Sequence, residues 1–339
     1  MSDLSDLRAH ARYPSLPDIQ ETARRLQGKV LETPVWRWQT GAMQQLDPAT
    51  EVWLKLELFQ ITGTFKLRGA LNSIERMDGA TRARGVVAAS AGNHAMAVAH
   101  AAKVAGVGAK LAMPASASPA RIAACREAGA EVLLLPDVHA AFDRALQLVE
   151  QEGRTMVHPY DGPLIAQGTA TVGLELMRQV SGLDAVVVPV GGGGLCGGIA
   201  AAVKQINPAC RVYGAEPDGA DAMNRSFEAG RPQALERVRT IADSLGAPYA
   251  LDYSYGVCRQ FVDGMVRVSD AAIRDAMRIL YRDMKLATEP ATAVSTAALL
   301  GPLRETLAGK RVALIVCGAN LDAARFAELL AVDAPAAAG

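Results

Sequence analysis

Lys66 stands in the string Thr62-Gly63-Thr64-Phe65-Lys66-Leu67-Arg68-Gly69-Ala70, after a turn-forming glycine and an aromatic and at the mouth of a helical pattern. A lysine held at a helix N-terminus feels the positive end of the dipole, and partial burial also disfavours its charged form. Both effects lower its pKa and supply the neutral amine that Schiff-base chemistry needs. Taken alone, the string also reads as a surface lysine opening an amphipathic helix.

Three further motifs lie at strand-to-helix junctions or strand ends. Ser90-Ala91-Gly92-Asn93-His94 has small residues that expose a row of backbone N–H groups, an anion site, and Asn93 either caps the helix or reaches a ligand. Gly191, Gly192, Gly193 and Gly194, followed by Leu195, let the backbone wrap closely around a phosphate with its amides pointing inward. No Lys-Ser or Lys-Thr follows, so this is not a Walker loop. It is not the GxGxxG dinucleotide turn either, because the acidic residue near the expected spacing, Glu216, sits at a strand end. Cys317-Gly318-Ala319-Asn320 ends the last apolar strand. Ligands of open α/β sheets gather at the carboxyl ends of strands, which places Cys317 to touch a cofactor. Its competing reading is a small buried thiol.

The elements that must position these groups alternate. Uncharged or nearly uncharged β-branched runs predict strands at 51–57, 85–90, 110–113, 130–135, 185–190, 211–216 and 311–317. Helical patterns lie between them, at 67–77, 94–104, 119–128, 140–151, 171–180, 195–206, 270–284 and 292–307. Strand then helix, repeated, implies an open α/β fold. Residues 230–252 are less periodic and are expected to form an irregular segment near the site, and 334–339 a frayed tail.

The 339 residues carry 35 basic and 35 acidic side chains, with no basic stripe or arm, so nucleic acid is not an expected partner. The first 13 residues lack the apolar core of a secretory signal. The uncharged run 185–203 approaches membrane-span length, but Pro189 and the glycine cluster make it a strand, a loop and a buried helix rather than a span. The five cysteines, Cys125, Cys196, Cys210, Cys258 and Cys317, show no CxxC spacing and fit a reducing cytoplasm.

In this order the four motifs resemble the fold-type II pyridoxal-phosphate (PLP) enzymes, in the branch of serine/threonine dehydratases and serine racemases. The resemblance runs from about Thr33 to about Leu330 and includes Met113-Pro114, Gly129-Ala130-Glu131-Val132, Val172-Gly173-Leu174-Glu175, Ala215-Glu216-Pro217 and Thr240-Ile241-Ala242-Asp243. It implies a tryptophan synthase β-like fold of two open, mainly parallel twisted sheets flanked by helices. Residues 85–160 would form a small mobile substrate domain, and 1–84 with 161–339 a large PLP-binding domain. It also implies a homodimer. Lys66 matches the Schiff-base lysine, Phe65 the aromatic beside the pyridine ring, and Asn93 the partner of the cofactor's 3′-oxygen. Gly191, Gly192, Gly193, Gly194 and Leu195 match the phosphate loop, and Ser90, Ala91, Gly92, Asn93 and His94 the loop that holds the substrate carboxylate. Cys317 stands near the pyridine nitrogen.

Departures from the pattern refine the expectation. Serine racemases carry a second Ser where this chain has Ala91, which cannot move a proton on the opposite face of the substrate. Members that bind a divalent cation use a Glu, a backbone carbonyl and an Asp. Glu216 and Ala220 match the first two, but the third position is Ala222, with Asp221 adjacent, and hard cations need several oxygens. Ser244 and Leu245 replace glycine in a segment expected to line the substrate pocket. The resemblance therefore implies a PLP-dependent ammonia-lyase acting on L-threonine, L-serine or a related β-hydroxy amino acid such as 3-hydroxyaspartate or phenylserine. Racemisation and β-replacement are the rival reactions.

Overall fold

The computed structural model describes residues 13–332. Its ten strands are β1 (Val35–Trp38), β2 (Glu51–Lys55), β3 (Val86–Ala89), β4 (Ala109–Pro114), β5 (Glu131–Leu135), β6 (Thr155–Met156), β7 (Ala185–Pro189), β8 (Arg211–Pro217), β9 (Gly264–Val268) and β10 (Arg311–Ile315). They form a six-stranded sheet in the order β1-β2-β10-β7-β8-β9 and a four-stranded sheet in the order β5-β4-β3-β6. All pairings are parallel except β1 with β2. The expected fold, two mainly parallel sheets flanked by helices, is thus observed.

The reason lies in the strand composition. Val186, Val187 and Val188 of β7 and Val312, Ala313, Leu314 and Ile315 of β10 are fully buried, as befits parallel strands covered on both faces. They form the centre of the larger core. A second core joins Val86, Ala88, Leu111 and Met113 of the smaller sheet to Leu67, Leu71 and Ile74 of the helix Lys66–Glu75. That helix packs between the helices Asn93–Ala105 and Pro163–Gln179. The crossing with Pro163–Gln179 is close because Gly168 faces the backbone of Arg68 and Gly69, where a Cβ would lie 2.5 Å from the Arg68 carbonyl oxygen.

Several elements escaped the sequence pattern. β1 is a short edge strand with Trp36 and Arg37 exposed, β6 has only two residues, and β9 is a half-buried edge. None offers the continuous apolar run of a central strand. The helix Leu16–Leu26 starts at a Ser15–Asp18 capping box with Pro17 in its first turn. The helix Pro163–Gln179 begins eight residues before the expected 171, initiated by its proline. The helix expected over 292–307 runs Pro290–Leu300 and stops at Gly301. Residues 230–252 are irregular as expected, with a short 3-10 turn at Asp243–Leu245 and an isolated Ala234–Tyr249 bridge. The run 185–203 forms β7, the glycine loop and part of the helix Gly194–Ile206. Among the described residues no helix is long and apolar enough to cross a membrane. The tail 334–339 lies outside the described residues.

Candidate active site

Lys66 is the first residue of its helix, and the segment before it is tied to the end of β10: the Phe65 N–H donates to the Cys317 carbonyl at 3.2 Å, and Thr64 bridges Gly318. The lysine Nζ donates to the Pro159 carbonyl at 2.5 Å and lies 5.2 Å from the centre of the Phe65 ring. Burial pulls the Lys66 pKa down to about 8, against the opposing pull of Cys317 and Glu289.

The same helix is anchored on its other side by a buried ion cluster. Arg68 donates to Glu57 (2.8 Å to both oxygens) and to Glu175 (2.6 and 2.9 Å), while Lys55 donates to Glu175 at 2.7 Å and to the Thr33 carbonyl. Burial alone would raise the Glu57 pKa, but the Arg68 guanidinium holds it below the ordinary carboxylate value. The clamp fixes the helix two residues beyond the reactive amine.

Asn93 begins the next helix of the site. Its Nδ2 donates to both oxygens of Glu289 at 2.9 Å, and its Oδ1 accepts from Asn320 Nδ2 at 2.8 Å. Glu289 is buried, and burial pushes its pKa up to about 7 despite the Asn93 amide. Ser244 Oγ, on the irregular segment, lies 3.3 Å from both Asn93 Nδ2 and Glu289. Cys317 is buried beside Thr292, whose Oγ1 is 3.3 Å from the sulfur. Burial, with Glu289 nearby, pushes the thiol pKa up to about 12, so Cys317 is a neutral thiol rather than a thiolate.

The glycine loop lies across the cleft. Gly193 has φ +92°, and the helix Gly194–Ile206 starts there with no side-chain cap, which leaves its first-turn amides to an anion. Two of the four glycines have a further reason to lack a side chain. A Cβ at 192 would overlap the Tyr160 ring, and one at 194 the Tyr160 carbonyl. Gly191 faces the backbone of Leu245. Residues 157–161 therefore thread through the centre of the site: Val157 accepts from His94 Nε2 at 2.7 Å, Pro159 accepts from Lys66, and Tyr160 lies on the loop. Burial holds His94 far down, at about 3, so its ring is neutral and donates through Nε2–H.

In the segment Ser90, Ala91, Gly92, the Gly92 N–H donates to Ser90 Oγ at 3.2 Å, and the Arg121 guanidinium approaches Gly92 closely enough that a Cβ there would lie 2.9 Å from it. Arg121 reaches over to the opposite wall as well, donating to the Asn320 backbone carbonyl at 2.5 Å and facing Asp243 at 3.5 Å.

One cleft is thus lined by Phe65, Lys66, His94, Tyr160, Gly194 and Leu195, with Asn93 and Cys317 joined to it through Glu289 and Lys66. Glu216 and Ala220 do not line it. Glu216 accepts from the Met223 and Asn224 amides at 3.0 and 2.7 Å and from Asn224 Nδ2 at 2.7 Å, and Asp221 is committed to Arg225 and Arg267. The Ala222 side chain adds no oxygen, its carbonyl accepts from Ser226 Oγ at 2.6 Å, and the amides at the start of the helix Ala222–Ala229 serve Glu216 instead. These residues do not fit a hard divalent cation. Among the described residues no cluster of three or more His, Cys, Asp or Glu is placed to hold a metal ion.

The donor set does fit a phosphate-bearing aldehyde: uncapped helix amides in a glycine loop for the phosphate, a buried low-pKa amine for the carbonyl, and a neutral thiol at the sheet end. Sequence reasoning missed Glu289, Asn320 as a side chain, Arg121, Tyr160 and the Arg68 cluster. Glu289 had a signal, an acidic residue directly before Pro290 at a helix start. Tyr160 and Arg121 had none, because their roles depend on contacts between distant segments.

Comparison with known proteins agrees with this geometry. Residues 26–318 match the family model described as pyridoxal-phosphate dependent enzyme. Phenylserine dehydratase of Ralstonia pickettii is 49% identical over 320 residues, covering 93% of this chain and 97% of that protein. L-threonine ammonia-lyase of Thermotoga maritima is 38% identical, covering 91% of this chain and 76% of that protein. The structure of maize serine racemase superposes with a TM-score of 0.87 at 34% identity, covering 94% of this chain and 97% of that one. The chain belongs to the pyridoxal-phosphate dependent enzyme family, and it is an ammonia-lyase of the dehydratase type.

Proposed function

We propose that the enzyme removes water and then ammonia from a β-hydroxy amino acid, leaving a 2-oxo acid, with Lys66 as the base. The observation that carries this reading is the Lys66 amine: buried, held at a helix start, and poised near pH 8. Bound pyridoxal phosphate supplies the electron sink that accepts the pair left at Cα. The glycine loop and the first-turn amides from Gly194 hold its phosphate, Phe65 flanks its ring, and Asn93 binds its ring oxygen. The backbone from Ser90 to His94 holds the substrate carboxylate. Lys66 takes the Cα proton, the β-hydroxyl leaves as water on taking up a proton returned from the Lys66 ammonium, and the released enamine consumes one water to give the 2-oxo acid and ammonia.

One feature favours elimination over racemisation, and a second favours it over transamination. Ala91 offers no acid or base on the second face of the substrate. Cys317 as a neutral thiol does not hold a proton on a pyridine nitrogen as a carboxylate would, which shortens the life of the carbanion and favours loss of a β-group.

L-Threonine, L-serine, phenylserine and 3-hydroxyaspartate are the substrates to compare. The 49% identity to a protein named phenylserine dehydratase supports the aromatic one. A panel of these four amino acids, scored for 2-oxo acid and ammonia, tests the reading. Release of D-serine in excess of pyruvate from L-serine would overturn it.

In the same reading residues 85–160, which carry the four-stranded sheet, move against the rest of the chain as substrate enters, and the enzyme is a homodimer. Exposed Trp36, Phe59 and Ile61 offer apolar surface for a second copy. Five free, buried cysteines support a cytoplasmic setting.

A further inference from the structure

The fourth motif ends in Asn320, whose side chain joins three separate segments. Its Nδ2 donates to the Thr62 carbonyl at 2.8 Å and to Asn93 Oδ1 at 2.8 Å, which uses both of its N–H groups. Its own carbonyl accepts from Arg121 Nη2 at 2.5 Å. Gly63, with φ +69°, makes room for it: a Cβ there would lie 2.5 Å from Asn320 Oδ1. The turn before Lys66, the start of the Asn93 helix and the end of β10 are therefore joined at one amide.

That amide has a consequence for Asn93. An asparagine can turn its side chain over, exchanging donor and acceptor edges, and only its partners decide which edge faces where. Asn93 has a donor on one side, Asn320 Nδ2, and acceptors on the other, the two oxygens of Glu289. Turned over, it would set N–H against N–H at Asn320 and oxygen against carboxylate at Glu289. Asn320 cannot turn to compensate, because its donors are fixed by the Thr62 carbonyl, a backbone group that only accepts.

We propose that Asn320 is a positioning residue that, opposite Glu289, fixes which edge of the Asn93 amide faces the cofactor ring. The inference rests on the reading of Asn93 as the partner of the ring oxygen. With Nδ2 on the Glu289 side, the two oxygens of that one carboxylate share one N–H, and the other, which makes a long 3.3 Å contact to Ser244 Oγ, is the one presented to the ring oxygen. Turned over, Asn93 presents an acceptor to an acceptor.

The test uses the PLP-loaded enzyme and its Asn320→Asp, Asn320→Ser and Asn93→Ala variants. Asn320→Asp keeps the shape but removes the donor toward Asn93. The readouts are the maximum and pH midpoint of the visible absorbance, the dissociation constant for PLP, and the thermal midpoint. The expected result for both Asn320 variants is a displaced maximum or a midpoint moved by about one pH unit, with PLP binding weakened about tenfold, the loss of one oriented hydrogen bond. The visible band would move in the same direction in Asn93→Ala. A lowered thermal midpoint with an unmoved band and unchanged PLP affinity would mean that Asn320 only holds loops together, and would overturn the proposal. If Asn93→Ala moves the band and neither Asn320 variant does, the positioning role alone fails. If Asn93→Ala leaves the band in place, the reading of Asn93 at the ring fails and takes the positioning role with it. Asn320→Ser gives the same readings if the aspartate variant does not fold.

Discussion

Lys66 and Arg68 share one helix turn but face opposite environments: the Lys66 amine donates to a single backbone carbonyl, that of Pro159, while the Arg68 guanidinium is enclosed by the carboxylates of Glu57 and Glu175. The first arrangement leaves an amine without a carboxylate partner, in a place where burial disfavours its charge. The second fixes the helix on which that amine sits. Reactivity and rigidity are therefore separated by two residues.

The first expectation concerns pH. The Lys66 pKa is lowered, so the neutral amine grows with pH and saturates above about 8. The rate at which cofactor-free protein takes up pyridoxal phosphate is expected to climb about tenfold per pH unit below that value and to flatten above it. Stopped-flow absorbance from pH 6 to 9.5 reads this. A rate still climbing tenfold per unit at pH 9.5 would mean an ordinary, exposed lysine. Lys66→Ala is expected to lose the visible band and the lyase activity together.

The ion cluster sets a stability expectation. Arg68→Met leaves Glu57 fully buried with its main partner gone, and breaking such a pair costs about 3–5 kcal/mol. Arg68→Lys is expected to recover only part, because a single ammonium cannot serve two carboxylates in the fork geometry. Urea unfolding measures both. Glu57 has a depressed folded pKa, so its stabilising contribution is full above the unfolded value of about 4.5 and is lost as the pH falls below it. The difference between unsubstituted protein and Arg68→Met should therefore shrink on acidification.

Tyr160 and the glycine loop should be coupled. Gly192→Ala collides with a ring that can rotate away, whereas Gly194→Ala collides with the Tyr160 carbonyl, which cannot. Gly194→Ala is expected to weaken cofactor binding the more, by about 100-fold or greater, roughly 2.7 kcal/mol. Adding Tyr160→Ala should rescue Gly192→Ala but not Gly194→Ala. A double-mutant cycle on the dissociation constant for pyridoxal phosphate decides it, and independent effects at 160 and 192 would contradict the contact.

In the proposed reading, Ala91→Ser puts a hydroxyl on the face of the substrate opposite Lys66. With L-serine as substrate, the ratio of D-serine to pyruvate is expected to increase about tenfold, a barrier difference of about 1.4 kcal/mol between the two exits. Chiral chromatography alongside a pyruvate assay gives the ratio. No change would mean that position 91 does not face the substrate.

The family and the motifs behind the proposed chemistry were largely legible in the chain because those motifs are local. A lysine after Gly-Thr-Phe, four glycines before a helix, and small residues between a strand and a helix each announce their function through backbone geometry that neighbouring residues set. Central strands such as β7 and β10 were legible for the same reason, since burial on both faces leaves an uninterrupted apolar run. Edges were not: β1, β6 and β9 are short or half-exposed, and their pairing is decided by the neighbour they find.

Tertiary structure alone decided how the motifs work on one another. Glu289 meets Asn93 from 196 positions away, Asn320 meets it from 227, and Arg68 finds Glu175 at a separation of 107. No local pattern encodes such pairs, because each exists only after two cores have packed and removed water from between them. The same packing gives Lys66 its low pKa and Cys317 its high one, since burial strengthens every uncompensated cost of charge. Sequence nominated the groups proposed to react, and the folded interior set their protonation and their orientation.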